Sequence, residues 1–175
     1  MIQIREYLTM LDLIMEIDLE SLPEVSKKGK LTVITQPGLR YAQAEAIVES
    51  ILLDEQFQEL SARDRKRILD RLLSEIRGRM MEEIILLETR LASKKKKVFK
   101  LQFPIGEFDM VVCDTRELTC RIYEVKYSKE QVAEQFRHLN DDEKCSMTSH
   151  RYGDIVGKYV IYRGEPADTM NTRRR

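Results

Sequence analysis

Three residues in the second half of the chain have the types and spacing of a metal-dependent hydrolytic site: Asp109, Glu124 and Lys126. Asp109 sits in Phe108-Asp109-Met110-Val111-Val112, an otherwise apolar run that reads as a strand, so its carboxylate must point into the core or into a site. Burying an unpaired carboxylate costs several kcal/mol unless a partner or a metal ion compensates it. Glu124 and Lys126 are two apart in Ile122-Tyr123-Glu124-Val125-Lys126-Tyr127, and residues two apart on a strand share a face. Two carboxylates and a lysine on neighbouring strands would answer the burial problem together. The carboxylates would hold a hard divalent cation, Mg²⁺ or Mn²⁺, through oxygen ligands, with the lysine beside the attacking water. A structural salt bridge on a solvated strand face has the same spacing and stands as the alternative.

Other chemistries find less support. No seven-glycine arrangement resembles GxxxxGK or GxGxxG, so no Walker-type ATP site is expected. His138 and His150 are the only histidines and neither is placed to serve a Ser or Cys nucleophile. Cys113, Cys120 and Cys145 lack metal-ligand spacing and are expected to be reduced and structural. No apolar run is long enough to span a bilayer and Met1 leads into a charged periodic segment, so a cytoplasmic protein without a membrane partner is expected. The 30 basic and 30 acidic side chains cancel, which argues against a polyanion partner until their distribution is considered. Arg90 to Lys100 holds six basic residues and no acid, Arg173 to Arg175 closes the chain, and Asp141 to Glu143 are three acids in a row. Opposed patches of this kind can bind a polyanion locally.

The elements that must position Asp109, Glu124 and Lys126 follow from changes of period. Ile4, Leu8 and Leu11 mark a short amphipathic helix, followed by extended pieces around Ile14 to Leu19 and Leu31 to Thr35. Tyr41 to Leu53 has helical spacing, and a longer helix runs from a Ser61 cap to about Leu91. Its stripe is Leu69, Leu73, Ile76, Met80, Ile84, Leu87 and Leu91, interrupted by Gly78, where a kink or close packing is expected. VFKLQF, FDMVVCD and CRIYEVKY then read as three strands, Ser128 to Leu139 as a helix, and YVIYR near Tyr159 as a fourth strand. The result is an α/β core of helix, three-stranded meander, helix and strand.

With Gly-Glu-Phe-Asp109, Tyr-Glu124-Val-Lys126-Tyr and the preceding Gly78-Arg-Met-Met-Glu82, the chain resembles the PD-(D/E)xK nuclease superfamily. More narrowly it resembles the nuclease-like domain at the C-terminus of prokaryotic AAA+ ATPases. IREYLTMLDLI, ITQPGLRYAQA, GRMMEEIILLET, FKLQFPIGEFDMVV, RIYEVKYSKEQVAEQFRHLND and YGDIVGKYVIYRGE carry this narrower likeness over most of the chain. The resemblance implies a restriction-endonuclease-like core over 61–165, preceded by a partial winged-helix and helical segment over 1–60; the polar residues 166–175 are expected to be a disordered tail. After YRGE the sequence departs from the family's pattern.

Carried onto this sequence, the resemblance implies that Asp109 and Glu124 are metal ligands, that Lys126 orients or activates water, and that Glu82 completes the acidic shell. Glu83 is the alternative to Glu82, because helical-wheel arithmetic puts it nearer the apolar stripe. Gln131, Gln135 and His138 share a helix face, and Gln135 is the member that such nucleases bring toward the site; an ordinary polar face is the alternative. The implied activity is Mg²⁺- or Mn²⁺-dependent hydrolysis of nucleic-acid phosphodiester bonds, with DNA as the expected partner. A second expectation is a non-catalytic module for DNA docking or protein interaction in a larger ATPase assembly, with a homo-oligomer or an ATPase as partner and no ATP bound by this chain. The starting segment, which looks like the end of a winged helix, suits a fragment or remnant of such an assembly.

Overall fold

The computed structural model describes residues 2–23, 29–129 and 136–164. Their elements are α1 (Ile2–Met10), β1 (Ile14–Ser21), β2 (Gly29–Ile34), α2 (Pro37–Leu52), α3 (Glu55–Gln58), α4 (Ala62–Ala92), β3 (Lys97–Gln102), β4 (Glu107–Asp114), β5 (Thr119–Lys126), α5 (Asp142–Tyr152) and β6 (Asp154–Tyr162). The six strands form one sheet in the order β2-β1-β3-β4-β5-β6. The β1/β2, β3/β4 and β4/β5 pairs are antiparallel, while β1/β3 and β5/β6 are parallel. This is a mixed α/β fold with the expected β3-β4-β5 meander and a crossover to the last strand. The first two strands are part of the same sheet, because Asp18 to Ser21 of β1 pair with Phe99 to Gln102 of β3.

The sheet has two apolar faces, which its alternating side chains dictate. Phe99, Leu101, Phe108, Val111, Cys113, Cys120 and Ile122 pack on one face, where Cys145, Met147 and Tyr152 of α5 cover them. Ile17, Val33, Val98, Met110 and Val112 pack on the other, against Leu86 of α4. Burying each of the larger side chains contributes about 1.5–3 kcal/mol, so the strand core fixes where the polar residues between them must go. Cys113 and Cys120 are directly opposed on β4 and β5, buried and free, and Cys145 is also free.

Helix α4 begins as its sequence directs: Ser61 Oγ accepts from the Asp64 N–H at 3.1 Å, and Asp64 lies in the positive first turn. Its buried face differs from the apolar stripe near the C-terminal end. Ile84 and Leu91 are exposed, while Glu83, Leu86 and Leu87 are buried. The reason is that this end must cover a sheet carrying Lys100 and Asp109 and also meet α2, so the covered arc is wider than one stripe. Where a kink or close packing is expected at Gly78, α4 runs unbroken through that residue. A methyl group added to Gly78 would meet Tyr127 Cβ at 3.9 Å, an ordinary contact.

The second helix of the core also departs from expectation. Residues 136–140 are in turns, and the part of the Ser128 to Leu139 segment over 130–135 lies outside the described residues, as does the tail over 165–175. The helix preceding β6 is α5, and the three acids Asp141 to Glu143 begin it. Asp141 Oδ1 accepts from the Lys144 N–H at 3.1 Å as the N-cap, and Asp142 and Glu143 fill the first turn. These carboxylates complement the helix dipole, which explains an acidic run that sequence reading takes for a surface patch.

Helix α5 ends at Gly153, with φ +91° and ψ −178°, a region open essentially to glycine alone. An added Cβ there would also stand 1.9 Å from the Leu118 carbonyl oxygen. Two glycine substitutions therefore have opposite expected outcomes in chemical denaturation. Gly78→Ala should stabilise the fold by about 0.5–1 kcal/mol through helix propensity, whereas Gly153→Ala should destabilise it by about 2 kcal/mol or more. A destabilised Gly78→Ala would contradict the open packing against Tyr127.

Candidate active site

The site begins where the β4–β5 ladder ends. Register runs from Asp114↔Thr119 to Met110↔Tyr123 and goes no further, while β5 continues to pair with β6 through Lys126↔Tyr162. The Val125 N–H donates to Asp109 Oδ2 at 2.8 Å, so a side-chain carboxylate takes the place of a strand carbonyl. A register shift in the β3/β4 pairing, where Phe99 and Leu101 face Val111 and Phe108, leaves one extra β4 residue opposite Lys100. Such a bulge re-aims side chains locally. It is the reason that Phe108 and Val111 lie in the same apolar cluster despite their odd spacing, and that Asp109, 7% exposed, reaches Lys100.

Around Asp109 the strands and α4 gather a charged group. Lys100 Nζ lies 2.7 Å from Glu107, 3.4 Å from Glu82 and 3.8 Å from Asp109 Oδ1. On β5, Lys126 Nζ meets Glu124 Oε1 at 2.5 Å, as two residues on one strand face can. Glu124 is 3% exposed and its Oε2 is buried without a hydrogen-bond partner. Four carboxylates, Glu82, Glu107, Asp109 and Glu124, thus meet two ammonium groups, Lys100 and Lys126.

Sequence reasoning left Glu82 and Glu83 as alternatives, and the two point to different neighbours. Glu82 joins Lys100 and lies within electrostatic reach of Asp109 and Glu124. Glu83 Oε1 pairs with Arg40 of α2 at 2.6 Å and is buried against that helix. Gln131 and Gln135 lie outside the described residues, and His138 is an exposed neighbour of Lys144, with 3.4 Å between Nδ1 and Nζ. Lys100 and Glu107 were missed. The signal for Lys100 was present, since Phe99-Lys100-Leu101 interrupts an apolar strand much as Asp109 does.

The Lys94 to Lys97 turn is not brought to this group. Lys97 pairs with Cys113, four β4 residues from Asp109, or about 13 Å along the strand. Lys97 is ion-paired with buried Glu20, which also accepts from the Tyr152 hydroxyl, and Lys96 faces Asp114 at 3.9 Å.

Burial, and then the charge of Asp109, push the Glu82 and Glu124 carboxyls above their ordinary range. Burial raises Asp109 as well, against the Val125 N–H and the two lysines, which favour its ionised form. Burial works against the Lys126 and Lys100 ammonium groups, but Glu124 holds the first and Glu107 the second above the ordinary lysine value. Among the described residues, Asp109 Oδ1 has only a 3.8 Å lysine contact and Glu124 Oε2 has no hydrogen bond, so each carboxylate has an oxygen that could be offered to a hard divalent cation. As the side chains stand, no three His, Cys, Asp or Glu among the described residues are close enough together to hold a metal ion. Asp109 and Glu124 are the two carboxylates that would hold such an ion.

A pH dependence follows from these directions. A carboxyl whose folded pKa is raised binds protons more tightly when folded, so stability is largest below its unfolded value, near 4, and falls as pH rises through the folded value. The lysine contributions are instead present below their unfolded value and lost above it, well outside that window. Without divalent ions, the melting temperature should fall as pH rises from about 4 toward neutrality, and Glu124→Gln should flatten the fall. Melting curves over that range check it, and an equal slope in the variant would contradict the arrangement. Compared with family models, curated proteins and solved structures, the chain matches none.

Proposed function

We propose that this chain is a metal-dependent nuclease-like domain of the PD-(D/E)xK type with a restriction-endonuclease-like core, hydrolysing nucleic-acid phosphodiester bonds and related to the C-terminal part of AAA+ ATPases. The observation that carries this reading is the buried, unpartnered Glu124 Oε2 beside Asp109 and Lys126, in a group of four carboxyls and two ammonium groups. An orphaned carboxylate oxygen in a buried site is costly, and a cation is the compensation that the surplus of carboxyls calls for.

Asp109 and Glu124 are the ligands in this reading. When bound, a divalent ion would supply Lewis-acid stabilisation of the phosphate and lower the pKa of a water molecule. Asp109 is held for the task by Val125, because its Oδ2 accepts that N–H and leaves Oδ1 toward the site. Lys126, held above its ordinary pKa, is an ammonium at neutral pH. It can orient a water through its N–H donors or shield charge growing on a phosphate, and it cannot act as a base while so paired. Glu82, whose carboxyl is raised by burial and by the charge of Asp109, closes the acidic side of the group beside Lys100. Lys100 neutralises part of the cluster and keeps Glu82 and Asp109 together.

The same Lys100 supports a second reading. A lysine already shared among Glu82, Glu107 and Asp109 makes an ion-pair cluster that can fasten β3, β4 and α4 with no cation, as a non-catalytic module would. Titration calorimetry separates the two: the nuclease reading expects Mn²⁺ binding that Asp109→Asn abolishes, and the module reading expects none. Asparagine can still accept from Val125, so this variant tests charge rather than folding.

Cleavage gives the direct test. In Mg²⁺ or Mn²⁺, Asp109→Asn and Lys126→Ala should each lower the rate of phosphodiester hydrolysis at least about a hundredfold, with Glu83→Gln much less affected. Unchanged cleavage by purified Asp109→Asn protein would remove the assignment.

A further inference from the structure

The end of β5 carries a second group of side chains that the hydrolytic reading leaves unused. Lys126 is followed by Tyr127, and Arg163, just past β6, lays its guanidinium 4.9 Å from the Tyr127 ring centroid and donates to the Tyr127 hydroxyl. The Arg163 N–H donates to the Ser128 carbonyl at 2.9 Å, which fixes this residue beside the β5 terminus. Arg77 of α4 has the same arrangement with Tyr41 of α2: its guanidinium is 5.2 Å from the ring centroid and donates to the hydroxyl. Gly78, the next residue, lies against Tyr127, and the Arg77 charge is within electrostatic reach of Tyr127 and Glu45. Arg163 thus sits on Tyr127, one residue beyond Lys126, and Arg77 sits on Tyr41 one residue before Gly78, which lies against the same Tyr127.

An arginine stacked on a tyrosine and bonded to its hydroxyl uses one of five N–H donors and keeps a rigid planar fork. Among the described residues neither Arg77 nor Arg163 is ion-paired with a carboxylate. In this they differ from Arg40, taken by Glu83, and from Lys97, taken by Glu20. Tyrosine fixes the position of a guanidinium without neutralising it, whereas a carboxylate does both. A fixed and un-neutralised guanidinium suits a bidentate bond to an external phosphate. The neighbouring cluster makes such cations necessary, since surplus negative charge repels a phosphate backbone that must approach it.

We propose that Arg77 and Arg163 form a phosphate clamp that grips a nucleic-acid backbone beside the Asp109, Glu124 and Lys126 group, with Tyr41 and Tyr127 holding the two guanidinium planes. This inference rests on the nuclease reading and names the residues that would bring the substrate to it. The clamp contacts the backbone, so it contributes affinity and salt dependence without sequence preference.

The test is a fluorescence-anisotropy titration of a fluorescein-labelled DNA duplex with the full chain in EDTA, at several salt concentrations. Wild-type protein should bind. Arg77→Gln and Arg163→Gln should each weaken binding roughly three- to tenfold, and the double variant should lower the slope of log K against log salt by about two. Arg71→Gln serves as the control, because that exposed α4 guanidinium is paired with Glu75 at 3.0 Å, and it should leave the slope unchanged. If the double variant melts at a lower temperature, the Arg77→Lys and Arg163→Lys pair, which keeps both charges, should restore the wild-type slope. A double variant with wild-type affinity and slope, failure of the lysine pair to restore the slope, a wild-type chain that does not bind, or displacement of DNA by poly-glutamate as readily as by unlabelled DNA would each overturn the clamp. Asp109→Asn should bind the duplex at least as tightly as the wild type in EDTA and fail to cut it in Mg²⁺, so loss of cleavage with binding intact separates a failed metal site from a failed clamp.

Discussion

One hydrogen bond organises this molecule: the Val125 N–H donated to the Asp109 carboxylate at the point where β4 and β5 part. Had the ladder continued, Val125 would have bonded a β4 carbonyl and Asp109 would have stood as a buried charge within a regular sheet. The separation instead gives each group the partner that the other lacks. β5 can diverge from β4 because β6 still pairs along it to Lys126, so the opening costs little of the sheet's bonding. The bulge opposite Lys100 completes the geometry by adjusting the register of Asp109 without disturbing Phe108 or Val111 in the core.

Such a group has an energetic cost, and the rest of the fold offsets it. Three of its carboxyls are raised chiefly by burial, which means that ionising them at neutral pH opposes folding. Stability must come from elsewhere: the two apolar faces of the sheet, and the buried Glu20 shared by Lys97 and Tyr152, which ties β1, β3 and α5 at the opposite end of β3. Those two ends have different logic. At the Glu20 end both carboxylate oxygens are bonded, and nothing is left over for chemistry. At the Asp109 end the polar groups are incompletely satisfied, and locally unfavourable arrangements of that kind concentrate at functional sites.

How far the sequence reveals this depends on the signal that each part leaves. The β3–β4–β5 meander was legible because its strands are short apolar runs bounded by turn residues, and α4 because Ser61 marks its start and an apolar stripe follows. Glu124 and Lys126 were legible as a pair because a spacing of two fixes a strand face. The bulge was not, since nothing in KVFKLQF or FDMVVCD marks an extra residue, and with it went the role of Lys100. α5 was missed because its apolar positions are few and its acids serve as cap and dipole partners. The pairing of β1 with β3 was also illegible, as a parallel contact across some eighty residues of chain has no local trace.

The zero formal charge takes on a different meaning once partners are known. Cancellation is not uniform over the chain: Lys97 and Arg40 are consumed by buried glutamates, and Lys100 is shared among three carboxylates. What decides whether a cation is open to an outside ligand is its fixing partner rather than its place in a basic run. The lysine-rich turn near Lys97 is the densest basic stretch in sequence, yet its best-placed member is held by an acid. Arg77 and Arg163 lie outside that run but are held by tyrosines rather than by acids. Counting basic residues along the chain therefore directs attention to the wrong end of β3, whereas following their partners leads to the end of β5, beside the carboxylates.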